Sequence, residues 1–176
     1  GLHPRVLPIK VDGATKEEFV WGFRVGFITY GCESTEANEA LEQKTLGIIR
    51  ATVSSCSHPS QTFVLKALQH PDFARQQDEK VAILKARANR TKEVLDSGKY
   101  DDAWDYYPFN SGYFMCLKLK TTDAEALRRH ALEKYGVGTI ALGATDLRVA
   151  FSCLEEEDIP KLFDILYQSV KELEGK

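Results

Sequence analysis

Two cationic residues, Lys16 and Arg24, lie eight positions apart between apolar segments, and this spacing constrains the fold more than any other feature. Segments 6–11 and 23–30 are rich in β-branched and aromatic residues, so we predict two strands. The lysine then lies on a short turn and the arginine at the start of the second strand, facing one pocket. An amine can condense with a carbonyl, and a guanidinium offers a planar fork to a phosphate or carboxylate.

Residues 14–16 (Ala-Thr-Lys) and 22–26 (Gly-Phe-Arg-Val-Gly) resemble the pyridoxal-phosphate signature of the fold-type-I aminotransferases of class I and II. The resemblance implies that Lys16 bonds the cofactor covalently and that Arg24 binds its phosphate. Many family members have a phosphate-binding Ser three residues before the lysine. This sequence has Gly13 there, and Thr15 or a backbone N–H is the expected substitute. The alternatives are an exposed loop lysine and a strand-edge arginine in a surface ion pair.

Arg148 lies in segment 146–152 (Asp-Leu-Arg-Val-Ala-Phe-Ser), which is similar to the C-terminal strand of the same family. In the family this arginine binds the α-carboxylate of the substrate. Strand alternation predicts that Leu147, Val149 and Phe151 face a core and that Arg148 faces a cleft on the other side. A charge among apolar strand residues needs a partner, which favours the carboxylate role.

Two further segments resemble substrate-binding parts of the family. Residues 50–55 (Arg-Ala-Thr-Val-Ser-Ser) resemble a segment of aspartate and aromatic aminotransferases, except that Ser55 replaces the final Asn. In those enzymes the arginine crosses a dimer interface to the distal carboxylate of a dicarboxylic substrate. Arg50 could instead be favoured at a helix C-terminus by the helix dipole. Residues 110–114 (Asn-Ser-Gly-Tyr-Phe) resemble a turn that carries side chains toward the substrate, so Asn110 is a candidate.

The remaining sequence alternates helical and strand patterns. We predict helices at 34–53, 60–69, 72–97, 122–136 and from 152 onward, and strands at 104–109, 113–119, 137–142 and 147–151. The predicted fold is α/β: residues 1–71 form the C-terminal remainder of a large pyridoxal-phosphate-binding domain. Residues 72–176 form a long linking helix and a small C-terminal α/β domain, with a short sheet covered by helices.

The composition narrows the functional class. The chain is 43% hydrophobic and 28% charged with a net charge of −3, which describes a globular protein without the basic surface that binds nucleic acid. No run approaches the ~18 apolar residues of a membrane helix, and no signal peptide is recognisable. Its four cysteines and the histidines at 58, 70 and 130 lack metal-site spacing, so we expect no metal and reduced thiols in the cytoplasm.

The resemblance implies an enzyme of amino acid metabolism, a pyridoxal-phosphate-dependent aminotransferase that works as a homodimer. It covers only the C-terminal part of the family's length and the chain lacks an initiator Met, so we expect a piece of a larger protein with little activity of its own. The family's other cofactor-binding segments have no counterpart here. Alternatives are another fold-type-I reaction, such as that of a lyase or decarboxylase, or a stand-alone binding or assembly module that lost the chemistry.

Overall fold

A computed structural model describes residues 3, 5–110 and 112–175 of the chain. The chain divides into two compact units, residues 1–78 (unit 1) and residues 79–176 (unit 2). The division falls within one long helix.

Unit 1 begins with an antiparallel pair of strands, β1 (Ile9–Gly13) and β2 (Gly26–Tyr30), separated by the one-turn helix α1 (Ala14–Glu17). Both predicted strands exist, but each starts three residues later than expected. Pro8 cannot donate to a strand ladder, which explains the first difference. Phe19 and Arg24 have φ values of 58° and 54°, so the backbone before β2 turns instead of extending.

Two helices follow in unit 1, α2 (Thr35–Thr52) and α3 (His58–Leu68). The sequence allows either Ser34 or Thr35 as the N-cap of α2, and the structure has Ser34, whose side chain accepts the backbone N–H of Ala37 at 3.2 Å. Helix α3 begins two residues earlier than predicted, since Pro59 fits the first helical turn. No described residue of α2 is buried, although its sequence has an apolar stripe.

The long helix α4 (Phe73–Leu95) confirms the predicted extended helix over 72–97 and measures roughly 34 Å at ~1.5 Å per residue. Its buried residues all lie in the second half: Ala88, Thr91, Val94 and Leu95. The first half is exposed apart from partly buried positions such as Phe73.

Unit 2 contains a four-stranded antiparallel sheet in the order β3-β4-β6-β5. The strands are β3 (Trp104–Tyr106), β4 (Met115–Leu119), β5 (Ile140–Leu142) and β6 (Asp146–Val149). Helix α5 (Ala124–Tyr135) starts at an Asp123 cap and ends at Gly136, whose φ of 69° is the left-handed conformation that a glycine after a helix favours.

The last helix was predicted from residue 152, and this is wrong. Two single 3₁₀ turns, Phe151–Cys153 and Glu156–Asp158, come first, and α6 spans Ile159–Leu173. Pro160 lies in the first turn of α6, where its missing N–H and fixed φ are favourable.

The core of unit 2 lies between one face of its sheet and helices α4, α5 and α6. Strands β4 and β6 alternate buried and more exposed residues, which confirms the alternation predicted around Arg148 in β6. The buried strand residues are Met115, Leu117, Leu119, Leu147 and Val149, and they share one cluster with Leu127, Phe163 and Leu166. The predicted mixed α/β fold with a small sheet and covering helices in the C-terminal part is confirmed.

Candidate active site

Lys16 is the third residue of α1, which follows β1 without a loop. The sequence predicted a turn here; the structure has a single helical turn instead, because Glu18 donates its N–H to the carbonyl of Ala14 at 3.3 Å. Ala14 is fully buried and donates its own N–H to the carbonyl of Val25 at 3.1 Å. The start of α1 is therefore fixed against the segment that leads into β2, while the Lys16 side chain is exposed.

Arg24 lies in the turn before β2 and not in the strand as predicted. Its φ of 54° is in the left-handed region, which a branched or bulky side chain adopts at a cost. The next residue, Val25, is 4% exposed, whereas Arg24 is exposed. Gly13, the last residue of β1, pairs with Gly26, the first residue of β2. Lys16 comes shortly after β1 and Arg24 shortly before β2, so both residues lie at the same end of this sheet.

Gly13 and Thr15 flank the start of α1. Gly13 has a φ of −153°, an extended conformation that any residue can adopt. A Cβ there would meet only the Val25 carbonyl, at 3.9 Å, so the backbone does not require glycine at this position. Thr15 is half-buried in α1, next to Lys16. Their proposed contacts with a phosphate stay predictions.

Arg50 lies in the last turn of α2 and is exposed. Its guanidinium donates a hydrogen bond to the hydroxyl of Ser54, a residue with a φ of 67° just after the helix. This contact agrees with a helix C-terminal arginine and leaves open the proposed role in reading a distal carboxylate.

Arg148 lies in β6 of unit 2, opposite Cys116 of β4 and Ile140 of β5. Its neighbours Leu147 and Val149 are 0% and 1% exposed, which confirms the predicted alternation. Arg148 itself is half-buried on the other face of the sheet, and no described carboxylate forms an ion pair with it. A half-buried guanidinium without such an ion pair can bind an anion from outside the chain.

The sequence did not assign a role to Phe114, whose ring lies under the Arg148 guanidinium with the Cζ atom 4.7 Å from the ring centroid. The sequence feature that could have indicated this role is the aromatic pair at the end of segment 110–114. In that segment Asn110 is exposed, Gly112 has a φ of 95°, and Ser111 lies outside the described residues. Burial and the nearby charge of Asp146 raise the pKa of the Cys116 thiol, which makes it a poor nucleophile on the same face.

The structure thus places Gly13, Thr15, Lys16 and Arg24 together in unit 1, with Arg50 at the end of α2. Asn110 and Arg148 belong to unit 2. Among the described residues no group of three or more His, Cys, Asp or Glu side chains could hold a metal ion. The four cysteines are free thiols. In the part of the chain that the structure describes, no helix is long and apolar enough to span a bilayer.

Residues 10–166 match the family model for aminotransferases of class I and II. No curated protein matches the chain. Among solved structures, an aminotransferase from Anaerococcus prevotii is similar with a TM-score of 0.70 and 23% identity, covering 92% of this chain and 38% of that one.

The α-aminoadipate aminotransferase LysN from Thermus thermophilus, solved with N-(5'-phosphopyridoxyl)-L-leucine, has a TM-score of 0.70 and 23% identity, covering 88% and 39%. The aromatic aminotransferase of Pyrococcus horikoshii has a TM-score of 0.66 and 15% identity, covering 94% and 43%. The chain therefore spans about two fifths of the length of these proteins and shares the fold of that part. It belongs to the family of class I and II aminotransferases, with the fold-type-I architecture that the motif around Lys16 and Arg24 predicted.

Proposed function

We propose that this chain contributes to a pyridoxal-phosphate-dependent aminotransferase that moves an α-amino group from an amino acid to a 2-oxo acid. The observation that carries the proposal is the Ala14–Val25 hydrogen bond, which ties the helix of Lys16 to the turn of Arg24 at one end of the β1–β2 sheet. An exposed amine and an exposed guanidinium in that arrangement suit a small aldehyde that carries a phosphate.

The residues present in unit 1 fit this cofactor in part. Lys16 would bond the aldehyde, and Arg24 would hold the phosphate through a charge-assisted, bidentate contact, with Thr15 or the backbone N–H at Gly13 beside it. Pyridoxal phosphate, when bound, supplies a pyridinium ring that takes up the electron pair released at the substrate's α-carbon. Lys16 Nζ would then carry a proton between that carbon and C4′ of the cofactor.

Arg148 would bind the α-carboxylate of the substrate. The absence of an ion-pair partner for its half-buried guanidinium among the described residues supports this role. An enzyme that holds the α-carboxylate through the whole reaction favours transamination over decarboxylation, which is the nearest alternative within the fold. Asn110 would contribute a polar contact to the substrate from the turn before β4.

Arg50 would bind the distal carboxylate of a dicarboxylic substrate from the neighbouring subunit of a homodimer. The free thiols of the four cysteines agree with a reducing, cytoplasmic location. Since the chain spans about two fifths of its structural relatives, we propose that it has little or no turnover by itself. Turnover by this chain with pyridoxal phosphate and an amino donor, at a rate comparable to a full-length aminotransferase, would contradict that part.

Attachment of the cofactor to Lys16 can be tested without an activity assay. The chain is incubated with pyridoxal phosphate or with pyridoxal, which lacks the phosphate, then reduced with borohydride and mapped by mass spectrometry. We expect labelling at Lys16 to be greater with pyridoxal phosphate, because Arg24 attracts the phosphate. At exposed Lys10, whose amine lies 3.0 Å from Asp12, we expect no such preference.

The preference at Lys16 should disappear in Arg24→Ala and persist in Arg5→Ala, which removes another exposed arginine of unit 1. Equal labelling of Lys16 and Lys10 with both aldehydes would remove the proposed cofactor site. Persistence of the preference in Arg24→Ala would assign the phosphate to other groups.

A further inference from the structure

The contact between Phe114 and Arg148 joins two neighbouring strands. Phe114 directly precedes β4, Arg148 lies within β6, and these strands pair with Cys116 opposite Arg148. The guanidinium carbon lies 4.7 Å from the ring centroid, within the range of a cation–π contact. The ring and the guanidinium therefore meet on the sheet face away from the core of unit 2.

The position of Phe114 is set by its own strand. The next residue, Met115, is 3% exposed and belongs to the core. The carbonyl of Tyr113, the residue before, accepts the N–H of Ser152 at 3.4 Å. These two contacts hold the backbone on both sides of Phe114, so its ring lies beside the longer and more flexible side chain of Arg148.

Stacking and carboxylate binding use different parts of a guanidinium. The flat face of the group contacts a ring, whereas the N–H bonds point outward in its plane and form the fork that binds a carboxylate. A guanidinium held by its face keeps that fork available and loses less conformational freedom when an anion binds. With its Cζ atom 4.7 Å from the Phe114 centroid, we expect the Arg148 guanidinium to keep its edge available for a carboxylate in this way.

We propose that Phe114 is a positioning residue that holds the Arg148 guanidinium for the α-carboxylate of the substrate. This inference rests on the proposed function, because it takes Arg148 to be the carboxylate-binding residue. Phe114 acts on affinity for the carboxylate through Arg148 and does not itself touch the reacting atoms.

The first measurement asks whether the stack exists in solution. In a nitrogen-15 NMR spectrum of the chain, the Nε–Hε resonance of Arg148 is identified by its loss in Arg148→Lys. A proton above an aromatic face is shifted upfield, so we expect Phe114→Leu to move this resonance downfield and Phe114→Tyr to leave it in place. The Nε–Hε of Arg128, bound to Glu125 at 2.6 Å, should not move in either variant.

The second measurement asks whether the stack helps binding. Acetate is titrated at constant ionic strength against chloride, with acetamide as the uncharged control, and the Arg148 resonance is followed. We expect Phe114→Leu to weaken acetate binding roughly 2- to 30-fold, the range that a cation–π contact supports, and Phe114→Tyr to restore it. Asp146→Asn, which removes the carboxylate two residues before Arg148, should leave the upfield shift unchanged.

The outcomes separate the two proposals. An Arg148 resonance that is unchanged in Phe114→Leu overturns the positioning role, whatever acetate does. An upfield resonance that does not respond to acetate in the unchanged chain contradicts the carboxylate role of Arg148 in the proposed function, and with it the purpose of the stack. Loss of the dispersed core methyl signals of Leu117 and Leu127 would mean that Phe114→Leu is not folded. In that case the unchanged chain is compared with Phe114→Tyr and Phe114→Trp. The size of the upfield shift must then change with the aromatic ring at position 114.

Discussion

Ala14 donates its backbone N–H to the carbonyl oxygen of Val25 at 3.1 Å, and the residue before Val25 is Arg24, with a φ of 54°. A non-glycine residue in the left-handed region costs about 1–2 kcal/mol. The turn thus holds an arginine at a position where glycine would be more stable.

The Arg24 strain predicts opposite effects on stability and binding. We expect Arg24→Gly to be about 1 kcal/mol more stable locally than Arg24→Ala, while both lose the phosphate preference at Lys16. The measurement is hydrogen exchange of the Ala14 amide, whose protection should be about fivefold higher in the glycine variant. At Lys44, within α2, the amides of that helix should be less protected in Lys44→Gly than in Lys44→Ala, because glycine is disfavoured in a helix interior. A higher protection in Arg24→Ala would contradict the strain.

The proposed role of Arg50 predicts a change in substrate preference. In an active protein that carries this chain, Arg50→Gln should lower kcat/KM for aspartate or glutamate about 10- to 100-fold, because a charged hydrogen-bonded contact is lost. A monocarboxylic amino acid should change little. Steady-state kinetics with both donors checks this, with Ser54→Ala as the control that removes only the intrachain partner. Equal losses for both donors would leave Arg50 with a structural role.

The contacts of Glu172 predict how the stability of unit 2 changes at acidic pH. Its carboxylate contacts Lys134 Nζ at 2.7 Å, His130 Nε2 at 2.7 Å and Tyr135 Oη at 2.7 Å. Hydrogen bonds from Lys134, then His130 and Tyr135, lower the pKa of Glu172 from 4.5 to about 2. A carboxyl whose folded pKa is lowered contributes stability that is present above its unfolded pKa and is lost as pH falls from about 4.5 toward 2.

We therefore expect Glu172→Gln to destabilise unit 2 at pH 7 and to flatten the fall of its stability between pH 4.5 and 2. Urea unfolding followed by Trp104 fluorescence in a Trp21→Phe background reports on unit 2, since Trp104 is 3% exposed there. Glu133→Gln is the control, because Glu133 pairs with Arg129 at 3.6 Å on the exposed side of α5 and should change stability by no more than about 0.5 kcal/mol. The same pH slope in Glu172→Gln and the unchanged chain would contradict the assignment.

Removal of two buried hydroxyls in unit 2 should change its stability in opposite directions. Ser169 is fully buried and its hydroxyl has no hydrogen-bond partner among the described residues, whereas the fully buried Thr91 donates to the carbonyl of Arg87 at 2.9 Å. We expect Ser169→Ala to stabilise unit 2 by about 1 kcal/mol and Thr91→Val to destabilise it by a similar amount. The same Trp104 unfolding assay measures both. Destabilisation by Ser169→Ala would indicate a partner for that hydroxyl, such as a bound water.

The sequence predicted features that depend on local chemistry. The Ser34 cap, the Gly136 cap and the alternation around Arg148 follow from one residue and its near neighbours, so they could be identified without a structure. The turn at Arg24 could not, because its left-handed backbone is imposed by pairing of Gly13 with Gly26 and by burial of Val25. Likewise, the Phe114–Arg148 contact depends on the pairing of β4 with β6, which periodicity alone does not specify.

The cores of the two units predict different folding behaviour. Unit 2 has a cluster of nineteen buried apolar residues, whereas the described cluster of unit 1 has three, Ala14, Val25 and Val64. Several large apolar side chains of unit 1 are exposed, among them Val11 at 74%, Ile48 at 64% and Phe63 at 57%. Since burial of apolar surface must offset the conformational entropy of folding, we expect residues 1–78 to be much less stable than unit 2 when they are cut out as a separate fragment.

A fragment of residues 73–176, which keeps α4 whole, should therefore unfold cooperatively in urea with a free energy of about 5 kcal/mol. Residues 1–78 alone should show no cooperative transition and should bind a dye that reports exposed apolar surface. Trp104 is the fluorescent reporter of the first fragment and Trp21 of the second. Leu127→Ala, which opens a cavity at a fully buried position, should cost the longer fragment about 2–5 kcal/mol. A cooperative transition in residues 1–78 would mean that so small a buried cluster suffices for unit 1.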